Sequence, residues 1–209
     1  MAYLNPARIV LMLSTATLLV AEPLSQHDRD FAMSSMHATR KLFLDSVAGL
    51  TPEQWNFKPA PDRWSIAECA EHIAISEDFI FGLVQDQIMK TPAAPEKRAE
   101  VKATDEGLLK GVTDRTQKFK APDPIVPKKR WATPEEIIAH FKESRDRHIE
   151  YVESTQDDLR DHFFKHPAAG MLDAYQWILL MSAHTERHTE QINEVKADPN
   201  FPKSTASLR

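Results

Sequence analysis

The stretch Ser182-Ala-His-Thr-Glu-Arg-His-Thr-Glu-Gln-Ile192 decides how the rest of the chain reads. It lies inside a run from Leu172 to Lys196 in which Ala174, Trp177, Ile178, Met181, Ile192 and Val195 recur at helical spacing, stopped by Asp198-Pro199. His184 and His188 interrupt that stripe in its middle. Residues at i and i+4 share one helix face, one turn apart, so both imidazoles point the same way. Two imidazoles so placed chelate one metal ion if a third ligand arrives from another element. Thr185, Glu186, Arg187, Thr189 and Glu190 are then expected to point mostly outward.

Three further helices are predicted upstream. Phe31, Met36, Leu42, Phe43, Val47 and Leu50 mark one over Asp30 to Leu50. Thr51-Pro-Glu-Gln54 is a capped single turn with proline at the first helical position, and Trp55 to Trp64 is a rigid, proline-rich connector. Ser65 with Glu68 forms a capping box opening a second long helix, carried by Ile66, Cys69, Ile73, Ser76, Ile80, Leu83 and Val84 to about Lys90. Thr133-Pro-Glu-Glu136 opens the third, with Ile137, Phe141, His148, Ile149 and Val152 along it, and Gln156 to Phe164 extends it by a turn or two. His166-Pro-Ala-Ala-Gly170 breaks the chain before the last helix. Residues 91–130 carry five prolines and many lysines, with a short helix around Thr104 to Lys110. They read as an overhand connection between antiparallel helices with a solvated basic tip, or as a lid over a site. The expected fold is all-α: a four-helix bundle with a long crossover between helices 2 and 3.

Composition limits the functions such a bundle can have. Thirty-one acidic against 26 basic residues give a net charge of −5, which offers phosphate backbones no basic surface, so nucleic acid is not an expected partner. Five glycines and no glycine-rich phosphate loop argue against a nucleotide-binding sheet. The single cysteine, Cys69, cannot form an intrachain disulfide. Residues 1–21 differ in kind, with one basic residue and then an uncharged run from Ile9 to Ala21. That pattern is a secretory signal peptide, placing the mature domain, 22–209, in the periplasm or outside the cell. The run is shorter than the roughly 20 residues of a stable membrane span. Leu19 fits the small residue expected two positions before Ala21 poorly. An apolar first helix and a cytoplasmic protein is the alternative.

His72, beside Cys69 and Ile73 on the inward stripe of the second helix, is the candidate third ligand. Burying an imidazole among apolar side chains costs free energy unless both nitrogens find partners, and a cation satisfies three lone pairs at once. The chain also contains a pair that looks similar: His162 and His166 are four apart, but sit at a break without a sustained stripe. His27, His37, His140 and His148 have no partner at chelating spacing and read as surface or core-edge residues. Three imidazoles leave a coordination position open, as in catalytic sites. Glu68, four residues before His72, and Gln191, three after His188, are candidates to orient the rings.

Trp64-Ser-Ile-Ala-Glu-Cys-Ala-Glu-His72-Ile and Ala183-His184-Thr-Glu-Arg-His188-Thr-Glu-Gln-Ile192, with Leu50-Thr-Pro-Glu-Gln-Trp55-Asn-Phe-Lys-Pro before them, resemble the DinB-like (YfiT-like) superfamily of metal-binding four-helix bundles. The likeness covers about residues 30 to 196. It implies metal ligands at His72, His184 and His188. The cofactor it implies is a divalent ion, with zinc, nickel or iron all suited to imidazole. The implied activity is that of a hydrolase or of a transferase moving small thiols onto electrophiles, with a small-molecule substrate and room for a homodimer. A non-catalytic, stress-associated bundle with a structural or vestigial metal is the competing reading.

Overall fold

The computed structural model describes residues 23–203, so the leader expected over residues 1–21 lies outside the described residues. Six helices and one hairpin follow in order: α1 Gln26–Val47, α2 Pro52–Asn56, α3 Ile66–Asp86, α4 Asp105–Thr113, α5 Pro134–Ser154, β1 Phe163–His166, β2 Gly170–Asp173 and α6 Ala174–Lys196. The long helices α1, α3, α5 and α6 form the bundle, and the remainder connects them. Their starts are set locally. Thr51, Ser65 and Thr133 each close a capping box with the residue three further on, and Ser25, Thr104 and Asp173 cap α1, α4 and α6.

The helices pack in a ring: α1 on α6, α6 on α3, α3 on α5, α5 on α1. The diagonals are then α1 with α3 and α5 with α6, while the consecutive helices α3 and α5 are neighbours. Side-chain pairs give the directions. Tyr175 reaches the Asp28 carbonyl, Ser182 meets Ser35, and Lys196 reaches the Ser46 carbonyl, so α1 and α6 run parallel. Asp78 takes hydrogen bonds from His140 and Ser144, and Phe81 stacks on His148 and meets Tyr151, so α3 and α5 are parallel as well. The expectation of an overhand connection between antiparallel helices is thereby corrected. Because α5 starts at the same end as α3, the chain must travel back along a 21-residue helix, about 31 Å at 1.5 Å per residue. That return explains the length of the crossover. It is not a loose tip: α4 packs along α6, and 3₁₀ turns at Pro95–Glu100 and Asp123–Ile125 shape the rest.

The other correction lies between α5 and α6. The expected extra helical turn over Gln156 to Phe164, and the break at 166–170, are an antiparallel hairpin pairing Phe163 with Asp173 through His166 with Gly170. Gly170 closes it at φ +81, a left-handed conformation that favours glycine. Strand geometry separates His162 from His166. The ring of His166 instead accepts the amides of Ala168 and Ala169 and abuts Trp177.

The apolar core comes in two clusters. One gathers Met36, Ile80, Ile149, Ile178 and Met181; the other gathers Phe43, Ile73, Phe141 and Ile192. Along each helix a polar residue lies between them: Thr39, Glu77, Arg145 and Thr185. Arg145, fully buried, donates to both Glu77 carboxylate oxygens (Nε–Oε2 2.9 Å, Nη2–Oε1 2.5 Å), to Thr39 and to Thr185, while His148 meets Glu77 at 3.3 Å. His148 is thus a core residue, against the expectation of a surface or core-edge place.

Candidate metal centre

At the level of this polar layer, on the seam between α3 and α6, three imidazoles converge. The Nε2 atom of His72 lies 3.2 Å from that of His184 and 3.1 Å from that of His188. One ligand atom from each of the three residues lies within 4.8 Å of the others, the only such cluster among the described residues. The i, i+4 spacing on α6 and the placement of His72 on the facing antiparallel helix produce this. His72 is buried, while His184 and His188 are partly buried.

Hydrogen bonds fix two of the rings. His72 Nδ1 donates to the Ile125 carbonyl at 2.7 Å, and His188 Nδ1 donates to Gln191 Oε1 at 2.9 Å. Both rings therefore carry the proton on Nδ1 and a lone pair on Nε2. Two lone pairs face each other across 3.1 Å. Two acceptors cannot bond to one another, so the arrangement asks for a cation. Neutrality is enforced as well. Burial pushes the His72 imidazole down to about 4, against the Ile125 carbonyl, which favours its protonated form. Burial, then the neighbouring imidazoles, hold His184 and His188 well below the ordinary histidine range. The spacing fits an ion: nitrogens bonded tetrahedrally at about 2.0–2.1 Å stand about 3.3 Å apart.

The two residues expected to orient the rings fare differently. Gln191 holds His188. Glu68 does not reach His72: its carboxylate accepts the Ser65 amide (2.7 Å) and the Lys58 ammonium (3.0 Å), completing the cap of α3. The expected outward face of α6 is also different. Thr185, Arg187 and Thr189 are all buried, because α1 and α4 cover the sides that α3 leaves free. Sequence reasoning missed the Ile125 carbonyl, for which a backbone atom gives no signal, and the Trp64 indole, whose ring lies 4.8 Å from that of His72 and 6.1 Å from that of His188. Cys69, one turn from His72, is buried, and burial raises its thiol far above the usual range, so it offers no thiolate.

The ring of four helices with parallel α1 and α6, and the histidine cluster on its seam, define a class. The chain belongs to the DinB superfamily, whose family profile matches residues 35–192. Among curated proteins it is similar to YuaE of Bacillus subtilis, an uncharacterised protein, at 24% identity over 164 residues, covering 78% of this chain and 96% of YuaE. Among solved structures it is similar to YfiT from Bacillus subtilis (TM-score 0.56, 15% identity, 84% of this chain and 89% of that one). YfiT is described as a probable metal-dependent hydrolase with an unusual four-helix bundle topology.

Proposed function

We propose that this protein binds one divalent metal ion through the Nε2 atoms of His72, His184 and His188 and acts as a metal-dependent hydrolase or thiol transferase on a small substrate. The observation that carries the reading is the pair of lone-pair-bearing nitrogens 3.1 Å apart, with both ring tautomers set by hydrogen bonds behind them. Three neutral ligands fit zinc, nickel or iron. Such an ion supplies Lewis acidity, which activates water or a thiol as a nucleophile near neutral pH.

The chain's own residues then have defined tasks. Ile125 and Gln191 hold two rings in their tautomers, the buried surroundings keep all three neutral, and Trp64 walls one side. Three protein ligands with no fourth in the cluster leave a coordination position for water or substrate, which favours catalysis over a closed structural site. The description of YfiT as a metal-dependent hydrolase supports the hydrolytic branch. Elemental analysis of the purified protein tests the reading, with near-stoichiometric divalent metal expected and its loss in His184→Ala. A protein without stoichiometric metal, whose His184→Ala variant changes neither metal content nor stability, would overturn it. A panel of ester and thiol substrates separates the two reactions.

A further inference from the structure

Glu71, next to His72 but pointing away from the imidazoles, is one of the most fully committed carboxylates in the molecule. It is buried, and it accepts three consecutive backbone amides from the end of the crossover: Lys128 (2.8 Å), Lys129 (3.0 Å) and Arg130 (3.0 Å). Three amides converge on one carboxylate only where the backbone curls around it, as in anion-binding nests. Here Lys129 supplies the curl at φ +58, the only non-glycine residue with positive φ among the described residues. The Arg130 guanidinium donates back to the Pro124 carbonyl at 2.7 Å, closing residues 124–130 into a strap. The carbonyl of Ile125, within the same strap, accepts the hydrogen bond from His72 Nδ1, and the Ile125 side chain is itself buried. Adjacent residues of α3 therefore hold the two ends of one short loop, Glu71 at 128–130 and His72 at 125.

We infer that Glu71 is a positioning residue for the metal centre: by folding residues 124–130 into a strap it places the Ile125 carbonyl that fixes the ring and tautomer of His72. The inference rests on reading the three histidines as ligands. A carboxylate in this role accepts all three amides at once, whereas glutamine at 71 presents an NH2 group to at least one of them. The strap then loosens, the Ile125 carbonyl drifts from His72, and the ring is free to place its proton on Nε2, the atom required to bind metal.

The test has two arms. Metal affinity is measured for the whole protein by competition with a chromogenic zinc chelator, and the His72 tautomer is read by nitrogen NMR in the metal-free protein. Glu71→Gln is expected to weaken zinc binding about tenfold, within the range found when groups that orient metal ligands are removed, and to raise the fraction of Nε2-protonated His72. Arg130→Ala, an exposed change that leaves the core untouched, is expected to shift both readouts in the same direction by less. Loss of helix packing alone would lower the melting temperature without altering the tautomer. Glu71→Gln and Arg130→Ala proteins that fold, bind zinc within about twofold of the parent and keep His72 protonated on Nδ1 would overturn the inference. If the parent binds no zinc, the metal reading fails while the tautomer arm still decides whether Glu71 positions His72.

Discussion

At the scale of single residues, the protonation of His72 ties the centre to pH. Its pKa falls from 6.5 to about 4 on folding, so between those values the unfolded chain binds the extra proton. Stability is therefore full above about pH 6.5 and declines as pH falls toward 4. Thermal melts of the metal-free protein should show that decline, flattened in His72→Gln; an unchanged slope in the variant would count against the buried neutral ring. Glu77 acts in a lower window. Burial alone would raise it, but Arg145 and His148 more than offset that and bring it down to about 2 from 4.5, so its contribution is lost as pH falls from about 4.5 to 2. The clustering of His72, His184 and His188 was legible in the sequence because an imidazole in an apolar stripe is an anomaly that periodicity exposes. The same signal was available for Glu77, between Ile73 and Ile80, and for Arg145, between Phe141 and Ile149. The partners that set the tautomers were less legible, since one is a backbone carbonyl 53 residues from the ring it holds.

Among elements, the polar layer joins all four long helices at one level. The layer fixes how far each helix can slide, since a shift of one turn would set Arg145 against apolar side chains. Removing one partner leaves a buried charge uncompensated, so Arg145→Met is expected to cost about 3–5 kcal/mol in denaturant unfolding. Replacing Glu77 as well, by leucine, should recover much of that loss; a single variant as stable as the parent would show that the layer contributes little. The bundle's helices were readable from caps and stripes to within a few residues, α1 alone starting four residues earlier than expected because Ser25 caps it. The hairpin was not. Its strands are four residues each, too short for an alternating pattern to stand out, and their residues are held by Trp177 and by the turn glycine.

Over the whole molecule, the crossover is bound to α6 by arginine. Arg187 donates to the carbonyls of Val112, Asp114 and Gln117, and Arg115 holds the Arg187 carbonyl and both oxygens of Glu194. Arg187→Ala leaves three carbonyls to find new partners and is expected to cost about 1–3 kcal/mol. Amide exchange should accelerate across residues 105–117 well before the bundle opens. Exchange unchanged in that segment would mean that α4 docks by its apolar face alone. Helix directions were beyond the sequence, because a stripe states which face is buried and not what covers it. The parallel course of α1 and α6 has an electrostatic consequence. Parallel helices bring like ends of their dipoles together, here two positive N-termini, with that of α4 beside them. Each carries an aspartate at its start, Asp28, Asp173 and Asp105, and the three carboxylates close on one guanidinium, Arg160, stacked over Tyr175. What would be mutual repulsion between aligned helices becomes a neutralised knot of charge, one that antiparallel packing of the same segments would have no reason to form.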